Sequence, residues 1–198
     1  MEKKEAILQA AKTLFSEKGY KATNISEITE TAGIATGTFY LYYDSKTQLF
    51  MDLFLDENLK LKKHLMEIID LNGDPESVIQ ELTLLNMEGM RSNPILREWY
   101  NREVFEKIEE KYREDKGIDN LDFLYSIFIT VIKRWQAEGK MRSDIDSEMI
   151  MAIFSAVINI DTHKDEIGIE YFPEILDYLM DFVMKGLLTG SGGGDKQG

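Results

Sequence analysis

Apolar residues recur at three- and four-residue spacing along almost the whole chain, and no long stretch of β-branched residues alternates as a half-buried strand would. The pattern predicts an all-α protein of roughly nine helices. The first covers about Lys3–Lys18, with Ile7, Leu8, Ala11, Leu14 and Phe15 on one face and Gly19 as its stop. The second starts at Asn24, where Asn24-Ile25-Ser26-Glu27 has the form of a capping box, and ends at Gly33. A short third helix spans about Thr36–Tyr43. Ser45-Lys46-Thr47-Gln48 is another capping box and opens a fourth helix that runs to about Leu71, roughly 35–40 Å in length. Asn72-Gly73-Asp74 breaks the chain, and further helices fit about 75–91, 94–114, 119–138, 146–163 and 171–188. Each of the three prolines, Pro75, Pro94 and Pro173, stands where a helix can begin. The final stretch 191–198 (SGGGDKQG) has the composition of a flexible tail.

One stretch departs from ordinary amphipathic patterning. Thr31–Lys46 reads TAGIATGTFYLYYDSK and carries no charged residue between Thr31 and Tyr43. Two short helices separated by Gly33-Ile34-Ala35, with a third helix ahead of them, form a helix-turn-helix. In such a unit the second short helix enters the major groove of DNA. Its inner face packs on the other helices, which accounts for Phe39 and Tyr43. Its outer face offers small groups: Thr36, Gly37 and Thr38 lie at the N-terminus, where backbone N–H groups favour a phosphate. Threonine presents a hydroxyl to acceptors and a methyl to thymine. Tyr42 has the phase to reach the DNA backbone, and Lys46 adds a cation at the next helix start. With no arginine or lysine over Thr36–Tyr43, the bases are expected to be read without arginine–guanine pairs.

Charge changes this picture little. The net charge is −13, yet residues 1–50 hold six lysines (3, 4, 12, 18, 21 and 46) against six acids and are neutral. The whole excess of negative charge belongs to the remainder of the chain, an asymmetry that suggests two jobs. An apolar fraction of 43% and a charged fraction of 30% fit a globular protein. With no cysteine, disulfides, zinc–thiolate sites and cysteine nucleophiles are excluded. The N-terminus lacks the apolar core of a signal peptide and no run reaches membrane-span length, so a soluble cytoplasmic protein is expected. The two histidines, His64 and His163, lack metal-ligand spacing, and no glycine-rich phosphate loop or nucleophile elbow is present. An enzyme is therefore not expected, nor is a cofactor. A helix-turn-helix scaffold reused for protein–protein contact remains an alternative.

The larger helical part carries its own signals. Leu121–Trp135 (LDFLYSIFITVIKRW) and Met149–Ile160 (MIMAIFSAVINI) are apolar around most of their circumference and so are covered on several sides. The last helix has two stripes, one of Phe172, Leu176, Leu179, Val183 and Leu187, the other of Ile175, Tyr178 and Phe182. Ala152, Ser155, Ala156 and Val157 allow close helix approach. A homodimer joined by a bundle of the last two helices of each subunit is expected, with Ala152, Ser155, Ala156, Ile175, Tyr178 and Phe182 at its interface; a large monomer core is the alternative. For a small-molecule pocket the aromatic candidates are Trp99, Phe123 and Trp135, beside the acids Glu88, Glu103 and Asp161. Each of these also fits an ordinary core or a solvated face.

The run Ile7-Leu8…Ala10-Ala11…Leu14-Phe15…Gly19-Tyr20…Thr23…Ile28…Ala32-Gly33-Ile34…Gly37-Thr38-Phe39-Tyr40…Tyr42-Tyr43…Ser45-Lys46…Leu49 resembles the DNA-binding domain of TetR-type transcriptional regulators. The resemblance implies DNA contacts at Thr23 and Asn24, which open the second helix, and at Thr36, Thr38, Tyr42 and Lys46. It implies a packing role for Tyr40. Two departures stand out: Ala35 replaces a usual capping serine, leaving Thr36 to supply the cap, and Thr29 replaces a common alanine. The expected division is a helix-turn-helix domain at 1–46, a ligand-binding and dimerisation domain at 47–190 and a tail at 191–198. The expected function is a ligand-responsive regulator, a repressor that binds a palindromic DNA operator as a homodimer and leaves it when a small molecule binds.

Overall fold

The structure, a computed structural model, describes residues 2–107, 122–172 and 174–188. Among these the chain is helical, without a β-strand: one isolated antiparallel bridge joins Met141 and Leu188. The helices are α1 (Glu2–Ala22), α2 (Ile25–Thr31), α3 (Thr36–Phe39), α4 (Lys46–Ile68), α5 (Pro75–Ser92), α6 (residues 102–107), α7 (Asp122–Ala137), α8 (Ser147–Asn159), α9 (Lys164–Ile167) and α10 (Glu174–Leu187). The expected helical stretch through 108–121 and the expected tail at 191–198 lie outside the described residues.

The chain gathers into two compact units, Met1–Glu67 with Leu85–Leu121, and Ile68–Leu84 with Asp122–Gly198. Position 46, where the sequence suggests a boundary, falls at the start of α4, inside the first unit. Helix α5 contributes its first ten residues to the second unit and the rest to the first.

The first unit is built on one apolar core. Ile7, Ala10, Ala11, Leu14 and Phe15 of α1 bury against Ile28 of α2, Phe39 of α3 and Leu49, Phe50, Leu53 and Phe54 of α4. Aromatic rings then continue the core without a break. Phe15 meets Phe50 edge-on at 5.2 Å, Phe54 stacks on Trp99 at 5.4 Å, and Trp99 meets Phe105 edge-on at 4.8 Å. Helix-turn-helix and residues 93–107 therefore share one interior.

That sharing explains a departure from the helix expected over 94–114. Leu96–Tyr100 form a 3-10 turn, Asn101 is extended (φ −90°, ψ 106°), and helix resumes at residue 102. Asn93 Oδ1 accepts from Ile95 N and Leu96 N, and Asn101 O accepts from Val104 N and Phe105 N. The Asn93 side chain thus caps the 3-10 turn, while the Asn101 backbone carbonyl opens the helix that follows. The break lets Trp99 on one side, and Val104 and Phe105 on the other, reach the same core.

The stop expected at Gly19 appears as a kink within α1, where Gly19 takes φ 80° and ψ 168°. Only glycine occupies that region at ordinary cost, and a Cβ built there would lie 2.9 Å from Glu98 Oε1. Gly19→Ala is expected to lower stability by about 1–3 kcal/mol, read from urea melts.

In the second unit α7 packs on α8, and α8 on α10. Val131, Ile132, Trp135, Ile150, Met151, Phe154, Met184 and Leu187 are buried. Asp146 caps α8 by accepting from Met149 N at 2.6 Å, and Trp135 Nε1 donates to Gly73 O at 3.3 Å. The helix expected through 163 ends at Asn159 and gives way to a 3-10 turn, Ile160–His163. No described helix is long and apolar enough to cross a membrane.

Candidate nucleic-acid interface

Helix α2 begins as its sequence dictates. Asn24 Oδ1 accepts from Glu27 N at 3.0 Å while Glu27 Oε2 accepts from Asn24 N at 3.3 Å, closing the capping box. A hydrogen bond from Lys18 and the Asn24 backbone N–H hold the Glu27 carboxyl below the usual carboxylate range. At α4, Ser45 Oγ accepts from Gln48 N at 3.1 Å, but Gln48 Oε1 reaches past Ser45 to accept from Asp44 N at 2.8 Å. The second box is thus closed one residue further out.

Helix α3 is a single turn, ending at Phe39 rather than Tyr43. Tyr42 N and Tyr43 N still bond to Phe39 O, so the chain continues as turns. Ala35 is the N-cap and provides no side-chain bond. Thr36 does not take over that role: its hydroxyl lies 3.3 Å from Thr29 Oγ1, joining α3 to α2. The two departures from the family pattern are therefore linked, since Thr29 supplies what Thr36 bonds to. Thr29 Oγ1 also donates to Ser26 O at 3.0 Å.

Above the buried Phe39 and Tyr43, the outward surface is uncharged. Thr36 and Gly37 are exposed and Thr38 is half-buried. Gly37 has an ordinary backbone, and a Cβ built on it would meet no atom within 4 Å, so nothing within the described chain requires glycine there. Tyr42 keeps a third of its surface exposed. Asn24 is exposed at the start of α2.

Three placements correct the sequence reading. Thr23 is 1% exposed and its hydroxyl donates to Gly19 O at 3.0 Å, so its side chain shapes the turn between α1 and α2. Lys46 donates to Tyr20 O at 2.8 Å and Thr23 O at 2.7 Å, with its ammonium 4.3 Å from the Tyr20 ring centre. Two of its three N–H groups therefore serve the protein. Burial, with the Lys107 charge nearby, lowers its pKa from the ordinary lysine value. Tyr40, expected to pack, is 54% exposed and meets Phe39 edge-on at 5.3 Å, while its neighbour Leu41 is 79% exposed. Tyr40 and Leu41 thus join the outward surface. The missing charges in this stretch were the only signal for them in the sequence.

Three lysines of α1 are occupied within the protein: Lys12 with Glu57 at 2.7 Å, Lys18 with Glu27 at 2.9 Å, and Lys21 with Glu103. Burial works against the Glu57 carboxylate, but hydrogen bonds from Lys12, Asn93 and Lys60 outweigh it and hold the pKa low. Lys3 and Lys4 are exposed at the start of α1, with Lys4 5.4 Å from the Tyr43 ring centre. Tyr43 Oη is buried and finds no hydrogen-bond partner among the described residues. Burial, then the charges of Asp52 and Glu5, push its pKa well above the ordinary tyrosine value. Tyr43→Phe is expected to leave stability unchanged or raise it by up to ~1 kcal/mol in thermal melts, because it removes a polar group that burial penalises.

The six effector candidates do not form one cluster in either unit. Glu88, Trp99 and Glu103 belong to the first unit, and Phe123, Trp135 and Asp161 to the second. Trp99 and Trp135 are buried core residues, 4% and 0% exposed. Glu103 is exposed and paired with Lys21 of α1, and Glu88 is exposed on α5. Phe123 is half-buried on α7, while Asp161 lies in the 3-10 turn with its side chain outside the described residues. On α8 and α10 the interface candidates face outward: Ala152, Ser155 and Ala156 are exposed, Tyr178 is 61% and Phe182 64% exposed, and Ile175 is half-buried. No group of described histidines and carboxylates is placed to hold a metal ion.

Comparison with known proteins places this geometry. Residues 7–53 match the family model described as bacterial regulatory proteins, tetR family. The chain is 27% identical over 146 residues to the HTH-type transcriptional repressor KstR2 of Rhodococcus jostii, covering 72% of this chain and 70% of that protein. It is 23% identical over 189 residues to the HTH-type transcriptional repressor AcnR of Corynebacterium glutamicum, covering 92% and 93%. The fold is shared with the regulatory protein TetR from Rhodobacter sphaeroides, at a TM-score of 0.59 and 18% identity over 93% of this chain and 98% of that one.

Proposed function

We propose that this chain, which belongs to the TetR family of bacterial transcriptional regulators, is a repressor that reads a palindromic operator as a homodimer and leaves it when a small molecule binds its larger helical part. The family is one of DNA-binding regulators and not of enzymes. The observation that carries the reading is the uncharged, outward surface of Thr36, Gly37, Thr38, Tyr40, Leu41 and Tyr42, held up by the buried Phe39 and Tyr43. Hydroxyls, methyls and aromatic edges of that kind suit base edges and sugar–phosphate contact in a major groove. Asn24 extends the surface at the start of α2. Thr23 and Lys46 hold the turn beneath it.

Residues 1–46 carry the DNA-reading function in this proposal, and residues 47–190 carry dimerisation and effector binding. The exposed apolar residues of α8 and α10 support the dimer, since a twofold axis buries the same patch on both subunits. Two α3 turns must then stand roughly 34–36 Å apart to meet successive major grooves. An effector favours release to the extent that it binds the DNA-free arrangement more tightly. Action on an operator places the protein in the cytoplasm. Selection of bound duplexes from a random library with purified protein tests the reading. A palindromic consensus is expected, and enrichment of no sequence over many rounds would overturn it.

A further inference from the structure

The turn that joins α1 to α2 is held from two sides. On one side stands α4: Lys46 donates to Tyr20 O and Thr23 O, and Tyr20 Oη lies 2.8 Å from Thr47 Oγ1. The other side is held by a residue 78 positions along the chain. Tyr20 N donates to Glu98 Oε1 at 3.1 Å, and Asn101 Nδ2 donates to Glu98 Oε2 at 3.0 Å. Glu98 is only 9% exposed, on the 3-10 turn Leu96–Tyr100.

A buried carboxylate needs such partners, and a backbone N–H at a kink needs an acceptor. Gly19 has turned the chain out of helical geometry immediately before Tyr20, whose N–H is met by Glu98. The absence of a side chain at Gly19 leaves room for the carboxylate. Its neighbours fix it in turn. Trp99 is locked between Phe54 and Phe105, and Asn93 Nδ2 donates to Glu57 Oε2 at 2.9 Å.

We propose that Glu98 is a positioning residue for DNA binding: residues 93–107 hold the turn at Gly19–Thr23 through its carboxylate, and so set the angle at which α2 and the reading surface leave α1. The inference rests on the DNA-binding reading above and adds a route to it. A shift of the Leu96–Tyr100 turn withdraws the acceptor from Tyr20 N directly, without passing along α4.

The test compares the parent chain, Glu98→Ala, Glu98→Gln and the core control Val104→Ala. Affinity is measured for a duplex selected by the parent, and hydrogen exchange at the Tyr20 amide is followed by NMR. Glu98→Ala is expected to weaken DNA binding by about 10-fold or more and to speed Tyr20 exchange by about 10- to 100-fold, the scale of one charge-assisted hydrogen bond. Glu98→Gln keeps an acceptor for Tyr20 N, with the Asn101 amide turned to accept from the new NH2 group, and is expected to recover most of both losses. Val104→Ala lowers global stability without touching that bond, and is expected to bind DNA as the parent does. Parent-like binding by Glu98→Ala overturns the inference, as does an equal loss in Val104→Ala. A parent that selects no duplex overturns the DNA-binding reading itself, so the two failures are told apart by the parent's own binding.

Discussion

A chain carrying Tyr178→Asp and Phe182→Asp is expected to sediment as a monomer and to bind a palindromic duplex on the order of 100-fold more weakly than its parent. Both residues stand out from α10, where their rings lie 6.5 Å apart and more than half of each side chain is exposed. Met184 and Leu187 of the same helix are buried, so the substitutions spare the face that holds α10 to its own subunit. Two carboxylates facing their symmetry copies across an apolar interface would be both desolvated and mutually repelled. Without a dimer each reading surface binds a half-site alone, and the gain from having the second half-site held nearby disappears. Analytical ultracentrifugation checks the first expectation and titration of a labelled duplex the second. A variant that still sediments as a dimer would move the interface away from α10.

Lys46→Met is expected to lower stability by about 2–4 kcal/mol, a larger loss than removal of an exposed DNA-contacting lysine would cause. The methionine keeps much of the aliphatic packing but leaves Tyr20 O and Thr23 O without their shared donor, and removes the cation from the face of the Tyr20 ring. These losses exceed what is regained by no longer burying a charge, because two carbonyls are left unpaired in a partly dry site. Arginine is not expected to rescue, since a planar guanidinium does not fit where a compact ammonium bridges two carbonyls. Urea melts check the stability. A loss under ~1 kcal/mol would mean that water replaces the ammonium at both carbonyls. Any fall in DNA affinity for this variant reports the loosened turn first, which is why Lys46 cannot serve as a simple measure of phosphate contact.

How far the sequence reached depended on the range of each interaction. Both helix starts were legible because a capping box is complete within four residues, as at Asn24–Glu27, and Ser45–Gln48 departed only in which neighbouring N–H the glutamine found. The inward aromatic residues Phe39 and Tyr43, and the core face of α1, followed from helical periodicity, which survives without any knowledge of what lies opposite. The outward Tyr178 and Phe182 were legible for the same reason, as a second apolar stripe on one helix.

Other features were decided only by the tertiary structure. Tyr40 and Leu41 stand outward between the inward Phe39 and Tyr43, where α3 gives way to turns and no neighbouring element covers them enough to bury them. Thr23 and Lys46 have the composition of surface residues, and only the packed turn shows that one is buried and the other bonded inward. The break at Asn101 serves a core shared with α1 and α4, so no local pattern announced it. Glu98 finds its partner 78 residues away. Local hydrogen bonding and periodicity are written along the chain and determined the helices. Contacts that close only when distant segments share one interior determined which side chains of the helix-turn-helix are left exposed.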